Sequence, residues 1–155
     1  MTRIFPNAEN YLTVNVGISE DQRKEIESRL GFELLPGQKD RFLYFSMTGK
    51  DGIEVGTVIA ASQKGQYGAV EFVVGLDTDL VIRNLFIQRT RERNQGFKDR
   101  SFLDLFIGRS LSDAEELHLL YSGEETPGTS AVIQGLKKEL VAYDVLVLKT
   151  NRDTE

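Results

Sequence analysis

At 155 residues, with 40% hydrophobic and 28% charged side chains, the chain has the length and composition of one globular domain with its own core. A net charge of −5 argues against nucleic acid as a partner, because phosphate contact needs a dominant basic face. The absence of cysteine excludes disulfides, thiolate metal sites and cysteine catalysis, and the single histidine, His118, removes most zinc sites and most triads.

The first helix signal is Ser19-Glu20-Asp21-Gln22. Ser19 can cap free N–H groups, Gln22 completes a capping box, and Glu20 and Asp21 suit the positive end of a helix dipole. Ile26 and Leu30 share the inner face and Gly31 supplies the stop, which predicts about three turns of amphipathic helix. After Pro36-Gly37 the period changes to two. Residues 41–47 read as a strand, with Phe42, Tyr44 and Phe45 as core aromatics. Turn chemistry at 48–52 leads into a β-rich run over 53–61, and a second turn at 64–68 into 69–75. A third turn at 77–79 leads into 80–82 and 85–87, so the region predicts a four-stranded antiparallel meander.

A polar stretch covers 88–100. Residues 101–107 then predict a short helix ending at Gly108, with Asp99 as its cap, and 116–121 a small strand. Residues 122–130 are a loop by composition. The last long element starts near Thr129 or Ser130, with Val132, Ile133, Leu136, Leu140, Tyr143 and Val147 at helical spacing, and 151–155 form a polar tail. The expectation is a single α+β domain over 1–155: an N-terminal helix, an antiparallel meander, a short helix and a long C-terminal helix packed on the sheet.

The loop before the last helix carries the most chemistry. It offers Gly123 and Gly128, hydroxyls at Ser122, Thr126, Thr129 and Ser130, and then a helix N-terminus. Helix N-termini present unpaired N–H groups and the positive dipole end, and glycine lets the backbone approach an anion. The plainer reading is that Thr129 or Ser130 caps its own helix.

The run Gly123-Glu124-Glu125-Thr126-Pro127-Gly128-Thr129-Ser130-Ala131-Val132, followed by a long amphipathic helix, resembles the C-terminal signature of the FMN-binding domain family. That family includes the G subunit of the Rnf electron-transport complex and the C subunit of the sodium-pumping NADH:quinone reductase. Its pattern is Ser/Thr-Gly-Ala-Thr, one spacer, hydroxyl residues and a small-apolar pair opening the final helix, and its threonine carries FMN through a phosphoester. Counted back from Ala131-Val132, Thr126 falls on that threonine and Thr129 on a following hydroxyl position. The order of elements, most clearly over 55–142, extends the likeness, including the segment 102–108.

The resemblance implies FMN held at its phosphate end by Ser122, Gly123, Thr126, Gly128, Thr129 and Ser130, with no catalytic acid or base and no metal. The sequence departs from the family at three places. Gly123-Glu124-Glu125 replaces the residues before the threonine, and Leu119-Leu120-Tyr121 stands where the flavin-attaching enzyme expects an acid. The family's Glu-Thr-Pro-Gly loop appears as Arg89-Thr90-Arg91-Glu92, without its glycine. These changes argue against a covalent bond at Thr126, so non-covalent FMN is expected. The rival is a flavin-free relative that serves as an interaction or assembly module.

Arg83, Arg89, Arg91, Arg93, Lys98 and Arg100 form a basic stretch that reads either as a docking face or as a solvated loop. By the resemblance it lies near the flavin edge, where Phe97 or Tyr121 would stack on the ring. His118 reads as a surface or satisfied histidine, Asp77 and Asp79 as turn formers, and Glu124 with Glu125 as an acid/base pair only if buried. The implied partners are protein subunits of a redox complex. The implied place is the outer face of the cytoplasmic membrane behind an N-terminal anchor. No anchor or signal-peptide core is present at residues 1–6, and no apolar run reaches the roughly 18 residues of a spanning helix. A soluble protein is the alternative.

Overall fold

The structure, a computed structural model, describes residues 4–92 and 96–149. Five antiparallel strands follow one another in chain order across a single sheet: β1 (Asn10–Gly17), β2 (Arg41–Thr48), β3 (Glu54–Lys64), β4 (Ala69–Leu76) and β5 (Ile82–Arg89). Helix α1 (Glu20–Leu30) links β1 to β2, α2 (Arg100–Leu103) follows β5, and the long helix α3 (Pro127–Tyr143) lies across the sheet. This is the α+β arrangement expected, with one addition. Strand β1, which pairs with β2 from Asn10↔Thr48 to Gly17↔Arg41, precedes the helix that opened the expected order.

Local chemistry sets most boundaries. The capping box of α1 forms as its residues predict, with the Gln22 N–H donating to Ser19 Oγ at 3.1 Å and the Ser19 N–H to Gln22 Oε1 at 2.9 Å. The helix ends at Gly31, in the left-handed region at φ 81°. The region 116–121 is not a strand but part of a 3-10 helix, Leu111–Leu120. Its buried residues Leu111, Ala114 and Leu117 recur every third position, which suits three residues per turn rather than the two-residue period of a strand. Only Arg100–Leu103 of the expected helix at 101–107 is α-helical, and Asp99 stands at its N-cap without a side-chain hydrogen bond. At the chain's end α3 gives way after Tyr143 to a wider helical coil, Asp144–Lys149, which carries Val147; residues 151–155 lie outside the described residues.

The main core lies between one sheet face and the helices. Ile59, Val70, Phe72, Val74 and Leu85 face Ile26 of α1 and Val132, Leu136 and Leu140 of α3, all fully buried. Burying each such side chain contributes about 1.5–3 kcal/mol. The other face carries a smaller cluster, in which Ile4 and Phe5 cover Met47 and Val58. The segment before β1 lies so close to the sheet that a side chain at Gly56 would collide with the Phe5 ring. Of the expected core aromatics, Phe42 and Tyr44 pack toward α3 and its Tyr143, while Phe45 belongs to the second cluster.

Strands β2 and β3 stay paired over only part of their length. Their register runs from Thr48↔Glu54 to Phe45↔Val58 and stops there, although β2 begins at Arg41 and β3 continues to Lys64. Beyond that point the two strands separate over the middle of α3.

Candidate functional site

Helix α3 begins earlier than its apolar spacing suggests. Thr126, not Thr129 or Ser130, is the N-cap, and Pro127 occupies the first helical position, where a missing N–H costs nothing. Thr126 and Thr129 close a reciprocal box. The Thr129 N–H donates to Thr126 Oγ1 at 3.2 Å and the Thr126 N–H to Thr129 Oγ1 at 2.9 Å. The Ser130 N–H takes the Thr126 carbonyl at 3.0 Å, which leaves Gly128 as the first-turn N–H outside this set. Gly128 is buried, and a side chain there would collide with the ring of Phe97.

Beside this turn is an open cleft of about 320 Å³, lined by His118, Tyr121, Gly123, Glu125, Thr129, Ser130, Ile133 and Gln134. Of the expected phosphate-holding residues, Gly123, Thr129 and Ser130 line the cleft. Thr126 and Gly128 belong to the same helix start behind it, and Ser122 is an exposed loop residue away from the lining. Tyr121 is fixed at the rim, its hydroxyl donating to the Glu124 carbonyl at 2.6 Å and its ring edge-on to Phe102. Phe97, paired with Tyr121 as a stacking candidate, has 0% exposure and is a core residue.

Glu124 and Glu125 are both exposed, so the burial on which the acid/base reading depends is absent. The Ser130 hydroxyl donates to Glu125 Oε1 at 3.0 Å. His118 is exposed and also lines the cleft. Asp77 forms its turn as expected, Oδ1 accepting the N–H groups of Asp79 at 2.9 Å and Val81 at 3.0 Å.

The basic stretch is largely committed to local partners. Arg83 pairs with Asp77 at 3.6 Å and Arg89 with Glu71 at 4.0 Å. Arg100 donates to the Leu85 carbonyl at 2.8 Å and to Asn84 and Asp104, with its guanidinium over the Phe86 ring. Arg91 and Lys98 are exposed, and Arg93 lies outside the described residues. Lys98 closes the short turn Gly96–Lys98, whose Phe97 touches Gly128, so it stands at the same end of α3 as the cleft.

A second hollow escaped the reading of the sequence. Where β2 leaves β3, a slot of about 190 Å³ opens, lined by Ile18, Leu34, Gln38, Arg41, Phe42, Leu43, Ala142 and the adjacent α3 residues Lys138 and Glu139. Lys138 is 2% exposed, and its three N–H groups are spent on Gln38 Oε1 at 2.7 Å, the Ser62 carbonyl at 2.5 Å and Gln63 Oε1 at 2.7 Å. Glu139 lies 4.0 Å from the Lys138 ammonium. Burial pushes the Glu139 carboxyl above the ordinary carboxylate range and the Lys138 ammonium below its ordinary value, each effect opposed by the neighbouring charge. The signal was present in the sequence, since Glu139 interrupts the stripe Val132, Leu136, Tyr143 and Lys138 the stripe Ala131, Gly135, Ala142.

Among the described residues no three histidine, cysteine, aspartate or glutamate side chains converge as a metal cage, and no helix is long and apolar enough to cross a membrane. Neither models of known protein families nor the curated proteins give a match to this chain.

Proposed function

We propose that this domain binds FMN without a covalent bond and relays electrons between protein subunits of a redox complex at the outer face of a membrane. The observation that supports the reading is the position of Thr126. The residue that matches the family's flavin-bearing threonine caps the last long helix, beside an open cleft with a tyrosine at its rim. The groups there suit a phosphate in kind: the Gly128 N–H, the Thr126 and Ser130 hydroxyls, the positive end of a 17-residue helix, and Lys98 at the same end. Tyr121 is the aromatic face available to the ring. FMN supplies the redox chemistry when bound, and the chain's own part is to place it and set the field around it.

A second reading, a flavin-free relative kept for its surface, is favoured by the closed box. Thr126 and Thr129 satisfy each other, Ser130 is engaged by Glu125, and among the described residues neither lysine nor arginine lines the cleft.

Titration of the purified chain with FMN, followed by quenching of flavin fluorescence, separates the two. Saturable quenching at micromolar concentration, weaker for riboflavin, supports the phosphate-anchored flavin reading. No quenching by a chain shown to be folded overturns it and leaves the interaction module.

A further inference from the structure

We infer that the slot between β2 and β3 is a binding site for a small organic cation of the amine or amidine class, held by the carboxylate of Glu139. The site is distinct from the α3 N-terminus and independent of the flavin reading.

The slot exists because the β2–β3 ladder ends at Phe45↔Val58 while both strands continue. A separated ladder exposes backbone groups, and the structure spends side chains on them. Gln38 Nε2 and Lys138 Nζ both donate to the Ser62 carbonyl, at 2.9 and 2.5 Å. With Gln38 and Gln63 as its other acceptors, Lys138 is saturated and has no N–H left for a ligand. It acts as a strut that holds the opening.

Glu139 is in the opposite condition. It is 7% exposed and lines the slot, yet its carboxylate accepts no hydrogen bond within the described residues, and Lys138 stands off at 4.0 Å. No side-chain oxygen or nitrogen among the described residues is both fully enclosed and without a partner, so the carboxylate keeps its remaining access through the slot. A nearly buried carboxylate without donors costs several kcal/mol unless it takes up a proton or something supplies the donors, and above neutral pH a bound cation is the second route. The slot therefore offers up to four acceptor positions at one end and apolar walls from Ile18, Leu34, Phe42, Leu43 and Ala142.

The complementary molecule has a fork of N–H donors and a short apolar body. Amidinium meets carboxylate with two parallel hydrogen bonds, as guanidinium does. The size limit is tight. At about 190 Å³ the slot slightly exceeds the cavity of about 150 Å³ that holds benzene in a well-studied engineered protein. A single ring or a short branched chain fits, and a nucleotide does not. Arg41, exposed in the slot's lining, disfavours a ligand with a second positive charge.

The test uses the full chain and three probes of one shape: benzamidine, benzamide and benzoate, titrated by calorimetry and by chemical-shift mapping. Benzamidine should bind saturably at millimolar or better, with shifts at Leu43, Ala142 and Ala60 of β3, which also lines the slot, benzamide more weakly, and benzoate not at all. Glu139→Gln should lower benzamidine affinity at least tenfold while keeping the melting temperature or raising it. Ala142→Leu, which fills the slot from its wall and leaves the carboxylate in place, should abolish binding and covers the case in which the first variant fails to fold. Benzoate binding as well as benzamidine, absence of binding by all three, or benzamidine binding unchanged in both variants would each overturn the inference.

Discussion

The ring of Phe97 rests against the backbone of Gly128, so the segment after β5 and the first turn of α3 meet with no side chain between them. Phe97 is fully buried by this contact and belongs to the main core. One aromatic residue thus ties the basic segment to the helix start that carries the candidate phosphate groups.

Gly128→Ala should therefore destabilise the domain, even though alanine is the better helix former. The added methyl forces the ring out of place, an overpacking cost of about 1–3 kcal/mol that outweighs the roughly 1 kcal/mol gained in helix propensity. A lower urea midpoint at unchanged slope is the expected result, and Phe97→Leu in the same chain should recover part of the loss.

Thr126→Ala removes the N-cap and should cost about 1 kcal/mol of stability by chemical denaturation. Ser at this position keeps the hydroxyl and should retain most of it. If the flavin reading holds, the alanine variant also loses FMN affinity by roughly tenfold, about 1.4 kcal/mol, and the serine variant does not. A flavin affinity equal in all three proteins would remove the phosphate from this turn.

Glu124 and Glu125 are exposed beside the cleft, where their repulsion of a phosphate is screened but not absent. Replacing both with alanine should tighten FMN binding by roughly three- to tenfold at low ionic strength, with the gain shrinking as salt is added. An affinity unmoved by these charges at any salt concentration would place the phosphate elsewhere.

The Lys138–Glu139 pair gives stability a pH dependence of definite sign. The folded state holds the Glu139 proton more tightly than the unfolded chain, so this group's contribution is present in acid and is lost as pH rises from the ordinary carboxylate range toward neutrality. Lys138 holds its proton less tightly when folded, so its unfavourable contribution is relieved as pH rises toward the ordinary lysine range. Arg41 and Lys138 are the charged groups that line the slot with Glu139. Denaturant midpoints measured across pH should fall and then rise for the native chain, and Glu139→Gln should remove the falling limb.

How far the sequence could be read depends on how local each signal is. The α1 cap, the strands β2 to β4 and the left-handed stop at Gly31 follow from neighbours within four residues, and they appear where those neighbours place them. Strand β1 alternates Leu12, Val14 and Val16 with polar residues, but as an edge strand it buries little, so its alternation is weak beside the strong helix signal that follows. The start of α3 lies ahead of its apolar spacing, which marks where a helix becomes buried, whereas Thr126 and Pro127 mark where it begins. Composition marks residues 122–130 as a site candidate, but only the fold separates Gly123, Thr129 and Ser130, which line the cleft, from Ser122, which does not. The slot depends on where a strand pairing ends, a long-range property that no window of sequence contains.

The sheet's two borders are unequal. On β5 the Leu85 carbonyl is taken by Arg100, and Ile82 exchanges backbone hydrogen bonds with Gly108 and Arg109, so the first half of that border is covered. On β1 the eight residues from Asn10 to Gly17 pair, among the described residues, only inward to β2, and present Tyr11 and Leu12 to solvent. An uncovered edge is where another strand can add. Among the described residues β1 is therefore the more open border, the one from which a further strand would extend the sheet.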